Sequence, residues 1–188
     1  MTQPALEVIT VVIATYNRLD LLTNLLDNLA AQELPNGWDY EVIVVDDGSK
    51  DPVAPALATH RLGQRLQVEA QLNAGPAAAR HRGIAMSKGS ILVSLDDDMA
   101  VDTDFLARHL ARHDAGAEVV LGRIDDANDG TQRPLFHRLH QRYLDVKMTA
   151  EPGTSASGVE LFTGNVSFRA SRYHEVGGFD VTLRRCED

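Results

Sequence analysis

Aliphatic and β-branched residues come in short runs through the first hundred positions, and between them lie longer stretches whose leucines and alanines recur three and four apart. Such alternation is what a parallel sheet with crossover helices produces. Val8–Ile13, Glu41–Val45, Leu66–Ala70 and Ser90–Leu95 read as strands, and all but Leu66–Ala70 have the near-continuous Val/Ile/Leu content of strands buried on both faces. One helix carries Leu22, Leu25, Leu26 and Leu29 on a single stripe; Asn17 or Asp20 can cap it, and Pro35, Asn36 and Gly37 mark its end. Val53–Leu62 reads as a second helix with Pro52 and Pro55 about its first turn, and Ala77–Ser87 as a third, opened by Pro76 and closed at Gly89. Asp102–Ala115 repeats the pattern with Phe105, Leu106, His109 and Leu110 on one side, ahead of a fifth strand at Val119–Leu121. Beyond Gly122 the alternation stops. An acidic loop, Ile124–Gly130, leads to a helical pattern over Pro134–Met148, whose Phe136, Leu139, Tyr143 and Leu144 are expected to pack as core, and a short Gly/Ser connector follows.

With 188 residues, 44% of them apolar and 24% charged, the chain has the makeup of one globular domain. Its 27 acidic residues against 18 lysines and arginines give a net charge of -9, without the basic footprint of a nucleic-acid binder. The one cysteine, Cys186, excludes an intrachain disulfide and a cysteine-based zinc site, and suits a reducing compartment. No run approaches the roughly 18 apolar residues of a membrane span. A cytoplasmic protein is therefore expected, with peripheral contact at the inner membrane face as an extension of that expectation.

Ligands of open parallel α/β sheets bind beyond the carboxyl ends of the strands. The four strands are followed there by Ala14-Thr15-Tyr16-Asn17-Arg18, Asp46-Asp47-Gly48-Ser49, Asn73-Ala74-Gly75-Pro76 and Asp96-Asp97-Asp98, so every polar cluster of the first half falls at one edge. Three adjacent carboxylates repel one another unless a cation or solvent relieves them. They suit Mg²⁺ or Mn²⁺, which take carboxylate and phosphate oxygens, but also a solvated turn that caps a helix. Asp46-Asp47-Gly48-Ser49 is either a plain turn or the acceptor for a nucleobase ring N–H, with Thr15 and Tyr16 framing the same pocket. The helix opened by Pro76 favours an anion at its N-terminus and turns Arg80 toward a phosphate or the acidic cluster, or is an Ala-rich helix with solvated arginines.

Other constellations carry less. His109 and His113 lie four apart without the glutamate of a zinc-protease motif and are expected to face solvent, as are His137 and His140. Neither a G-x-G-x-x-G nor a P-loop occurs.

Val11 to Arg18, Val44 to Ser49, Asn73-Ala74-Gly75 and Leu95 to Asp98 follow in this order at successive strand ends, and Gly177-Gly178-Phe179-Asp180 and Glu187-Asp188 come after them. Together these segments resemble the family 2 glycosyltransferases of GT-A fold. The resemblance covers nearly the whole chain. It implies an α/β protein with a Rossmann-like, mostly parallel central sheet flanked by helices. It also implies one domain over residues 1–188, with a nucleotide-sugar-binding half, 1–98, and the start of an acceptor-binding half, 99–188.

The same resemblance implies roles position by position. Thr15, Tyr16 and Asp47 would hold the base and ribose of a nucleoside diphosphate sugar, with Asn73 in the same pocket, Ala14 contributing backbone, and Arg18 and Arg80 near the diphosphate. Asp97 and Asp98 match the D-x-D-type acidic motif, Asp98 as ligand of a Mn or Mg ion and Asp97 beside the donor sugar and ribose, with Asp96 a variable partner. Thr163-Gly164-Asn165 matches a segment lining the donor and acceptor pocket, and Asp188 the catalytic base of a Glu187-Asp188 pair. Ala14 stands where the family commonly has proline, and family members usually continue past the Glu-Asp pair, so a C-terminally truncated catalytic domain is expected. The implied activity is metal-assisted, inverting transfer of a sugar to a hydroxyl of a carbohydrate or other acceptor, as in polysaccharide biosynthesis. A UDP-sugar is the first expectation for the donor, with TDP- and GDP-sugars open. Two rivals remain: a non-catalytic sugar-nucleotide-binding module, and a receiver-like phosphoacceptor domain, which would need a lysine after a later strand where this chain has Gly122-Arg123.

Overall fold

A computed structural model describes residues 6–125, 138–139, 141–143 and 162–183. Along them run β1 (Glu7–Thr15), α1 (Leu19–Leu29), β2 (Trp38–Asp46), α2 (Val53–Leu57), β3 (Leu66–Ala70), α3 (Pro76–Met86), β4 (Ile91–Asp96), α4 (Phe105–Asp114), β5 (Val119–Leu121), β6 (Asn165–Arg169) and α5 (Ala170–Glu175). The strands form one sheet in the order β3-β2-β1-β4-β6-β5. The first four are mutually parallel, β6 runs antiparallel to β4, and β5 runs antiparallel to β6. Successive side chains of a strand point to opposite faces, and here both faces are covered. Ile9, Val11 and Ile13 of β1 pack with the Leu22, Leu25, Leu26 and Leu29 stripe of α1 and with Leu106 and Leu110 of α4. Val12 turns the other way, onto Ile84 of α3 and Tyr173 of α5. Thus α1, α2 and α4 cover one face of the sheet, and α3 and α5 cover the other.

Four local expectations are corrected. The helix expected over Val53–Leu62 stops at Leu57, where the chain leaves the α-helical pattern and tightens into turns in which the His60 N–H donates to the Leu57 carbonyl and the Gly63 N–H to the His60 carbonyl. Neither Asn17 nor Asp20 caps α1: Arg18 is the N-cap and makes no side-chain cap, while Asn17 is spent on another loop. His109 and His113, expected to face solvent, are buried. Phe105, His109 and His113 recur four apart and so share the stripe that α4 lays on the sheet. Of the helical pattern over Pro134–Met148, Leu139 and Tyr143 are helical and exposed rather than core, and the remaining positions fall mostly outside the described residues. No helix among the described residues is long and apolar enough to cross a membrane.

Candidate functional site

Four parallel strands ending side by side bring their C-terminal loops together, and a cleft of about 480 Å³ opens at that edge, of a size that takes a small-molecule ligand. Ala14, Thr15, Tyr16 and Arg18 line it from the end of β1, and Asp47 from the end of β2. Asn73, Gly75, Pro76 and Arg80 line it from the entry to α3, Asp96 and Asp97 from the end of β4, and Thr163 from beyond β5. Tyr16 stands half-exposed at the rim.

The acidic floor is matched with hydroxyl and guanidinium donors. Asp97 is buried; its Oδ2 accepts from Thr15 Oγ1 at 2.7 Å and its Oδ1 from Arg18 Nη1 at 3.1 Å. The same Arg18 nitrogen donates to Asp98 Oδ2 at 3.1 Å. Arg80, buried on the first turns of α3, donates to Asp96 Oδ1 at 2.7 Å. The charge of Asp97, followed by its hydrogen bond, holds the Arg18 guanidinium above its ordinary pKa.

Asp46 and Asp47 divide their labour by the alternation of the strand. Asp46 turns inward, where its Oδ1 takes the Ser49 N–H at 2.8 Å and its Oδ2 the Val53 N–H at 3.3 Å. Asp47 faces the cleft, and its Oδ1 accepts from Gln71 Nε2 at 2.7 Å and the Ala74 N–H at 2.9 Å, its Oδ2 from the Gly75 N–H at 2.9 Å. Gly75 sits at φ 96, the left-handed region that favours glycine, as the N-cap of α3. Gln71 was not legible as a site residue: its part depends on β3 ending beneath β2. Asn17, in a left-handed conformation at φ 55, ties the first loop to the second; its N–H donates to Ser49 Oγ at 2.8 Å and its Oδ1 accepts from the Lys50 N–H at 2.8 Å.

Among the described residues, the later half reaches this floor through Thr163 and Gly164. The Asp96 N–H donates to the Gly164 carbonyl at 3.1 Å, and a Cβ on Gly164 would lie 2.6 Å from Asp96 Oδ2. Asn165 is buried but does not line the cleft; its Nδ2 donates to the Arg123 carbonyl at 3.1 Å. Asp98 does not line the cleft either and is the outermost of the three carboxylates, 47% exposed at its side chain. Glu187 and Asp188 lie outside the described residues, as do Cys186, His137 and His140. On the side of β6 that faces α4, His109 Nδ1 and His113 Nε2 both meet Ser167 Oγ, at 2.7 Å and 2.8 Å.

The donor set fits a hard divalent cation that brings part of its own shell. Asp98 offers a carboxylate oxygen at the solvent edge, and Mg²⁺ or Mn²⁺ takes one or two carboxylates together with phosphate oxygens. No group of three or more His, Cys, Asp and Glu side chains among the described residues could hold such an ion alone.

The chain is similar to known proteins in sequence and in fold. The sequence profile described as Glycosyl transferase family 2 matches residues 10–174. A succinoglycan biosynthesis protein, ExoO, of Rhizobium meliloti is 35% identical over 142 residues, 72% of this chain and 40% of the relative. An undecaprenyl-phosphate 4-deoxy-4-formamido-L-arabinose transferase of Klebsiella pneumoniae is 31% identical over 149 residues, 76% of this chain and 46% of the relative. The chain thus spans less than half the length of these relatives. Among solved structures, S. aureus TarS 1-349 in complex with UDP superposes with a TM-score of 0.76 at 23% identity, over 95% of this chain and 52% of that one, which is a likeness of fold. A mannosyltransferase of Pyrobaculum calidifontis in complex with GDP-Man and Mn²⁺ gives a TM-score of 0.66 at 25% identity, over 93% and 48% of the two chains.

Proposed function

This chain belongs to glycosyl transferase family 2, and from that premise we propose that it moves a sugar from a nucleoside diphosphate sugar to an acceptor hydroxyl by a single, inverting displacement assisted by a divalent cation. The observation that carries the reading is the cleft itself, where strand-end carboxylates, two arginines and a helix N-terminus converge. UDP in one solved structure of the same fold, and GDP-Man with Mn²⁺ in another, favour the same ligand class. Tyr16 at the rim and Asp47, held by the Ala74 and Gly75 N–H groups, would receive the base; Thr15 would keep Asp97 oriented toward ribose and sugar. Arg80, and Arg18 once it leaves the carboxylates, would face the diphosphate. A Mg²⁺ or Mn²⁺ ion held by Asp98 and diphosphate oxygens would supply charge neutralisation at the leaving oxygen. Asp188 would take the proton of the acceptor hydroxyl as that oxygen attacks the anomeric carbon opposite the diphosphate, so the carbon inverts. Gly164, against Asp96, and Asn165 and Glu187 would belong to the acceptor side, with residues 1–98 forming the donor half and 99–188 beginning the acceptor half.

The test is thermal stability with UDP, TDP and GDP, each with and without Mn²⁺. A ligand at 100 times its dissociation constant adds about 2.7 kcal/mol. A rise with one nucleotide that grows with Mn²⁺ is expected and identifies the donor base. The absence of any rise with all three nucleotides would sink the reading. Tight nucleotide binding by a protein that transfers no sugar would instead mark a non-catalytic binding module.

A further inference from the structure

Arg18 is the cation that the cleft sets against Asp97 and Asp98, as Arg80 is set against Asp96, and its placement is built from the backbone up. Asn17 at φ 55, locked to Ser49 and Lys50, turns the chain out of the line of β1 just before Arg18, the N-cap of α1. From there one guanidinium nitrogen reaches both Asp97 Oδ1 and Asp98 Oδ2, 3.1 Å from each. Both oxygens of Asp97 are thereby engaged, with Thr15 on the other one. Arg18 and Asp98 are half-exposed, 52% and 47% at their side chains, and exposed pairs of this kind are weak enough to exchange partners.

Resting on the proposed nucleotide-sugar reading, we infer that Arg18 sets the metal requirement of the protein: its guanidinium holds the Asp97–Asp98 carboxylates in place of a divalent cation until a diphosphate draws it away. The charges argue the order of events. Asp96, Asp97 and Asp98 set against Arg18 and Arg80 leave one negative charge, too little to hold a doubly charged ion without help. A nucleoside diphosphate brings phosphate oxygens that a guanidinium pairs with bidentately. When Arg18 turns to them, Asp98 is released beside those same oxygens. Cation and nucleotide then bind together, and the cation alone binds poorly.

The experiment measures Mn²⁺ affinity from the electron paramagnetic resonance signal of the free ion, for the wild type, Arg18→Gln and the double variant Arg18→Gln/Asp98→Asn, each alone and with UDP, TDP or GDP. Without nucleotide, Arg18→Gln is expected to bind Mn²⁺ about tenfold tighter than the wild type, because a unit charge a few ångströms from the ion has gone. The double variant is expected to lose that gain, which an unfolded protein could not show in the first place. Nucleotide is expected to tighten Mn²⁺ binding more in the wild type than in Arg18→Gln. Equal or weaker Mn²⁺ affinity in Arg18→Gln, or a gain that survives Asp98→Asn, overturns the inference. The nucleotide arm judges the reading beneath it separately: if none of UDP, TDP and GDP binds the wild type, that reading falls while the arm with Mn²⁺ alone still decides on Arg18.

Discussion

Asp47 carries three hydrogen bonds on two oxygens, and each goes to a donor that the sequence places more than twenty positions away: Gln71, Ala74 and Gly75. A carboxylate can accept at both ends, whereas a carboxamide accepts at one and donates at the other. Asp47→Asn therefore leaves an amide facing an N–H on one side and orphans either the buried Gly75 N–H or the Gln71 and Ala74 donors. The expected cost is about 1–3 kcal/mol of stability, read from urea unfolding, with nucleotide affinity falling alongside because the entry to α3 loosens. An unchanged unfolding midpoint would mean that the loop does not hang on Asp47. At this scale the sequence was informative about residue type and silent about partner. Asp46 and Asp47 both belong to a turn motif, and only the end of β2 decides that one caps the next turn while the other faces the cleft.

Elements buried on both faces were the most legible, because a strand between two helical layers admits little besides Val, Ile and Leu, as in β1, β2 and β4. The antiparallel strand β6 was not read as a strand, since Asn165 and Ser167 break its apolar pattern. Both are buried, Ser167 with its hydroxyl against His109 and Asn165 with its Nδ2 on the Arg123 carbonyl, partners from far along the chain. His113 Nδ1 lies 2.8 Å from the Ala117 carbonyl and so must donate, leaving Nε2 to accept the Ser167 O–H, whose oxygen in turn accepts from His109 Nδ1. This chain is complete with both rings neutral. Burial pushes His109 from 6.5 down to about 4, opposed by the Asn165 side chain and reinforced by His113, and burial lowers His113 as well. The folded state then binds fewer protons than the unfolded one between pH 6.5 and about 4. The stability tied to His109 is present above pH 6.5, is lost as pH falls through that window, and levels off below about 4. Between pH 7 and pH 5 the loss should be about 2 kcal/mol. Urea unfolding at the two pH values measures it, and His109→Gln should flatten the difference; a wild type equally stable at both would refute the neutral pair.

Across the whole molecule, the site is a product of chain order: four loops meet because β3, β2, β1 and β4 lie side by side, and the later half contributes through β6 inserted next to β4. The first contribution could be read from motifs at successive strand ends. The second was reached only through the family resemblance, which matched Thr163-Gly164-Asn165; taken alone, Gly164 carries no signal until the fold sets its carbonyl on the Asp96 N–H and leaves no room for a Cβ beside the Asp96 carboxylate. That contact joins the two halves where Asp96 also meets Arg80. A methyl group at position 164 would stand 2.6 Å from Asp96 Oδ2, so either the carboxylate swings off Arg80 or β6 backs away from β4. Gly164→Ala should therefore cost about 1–3 kcal/mol, the usual range for overpacking a tight contact, with a lower thermal midpoint. The two responses separate by ligand: a displaced Asp96 weakens nucleotide binding more than the fall in stability accounts for, whereas a displaced β6 lowers the midpoint and leaves the donor loops of the first half able to bind. A midpoint and a nucleotide affinity both equal to the wild type would show that the halves meet there without depending on each other.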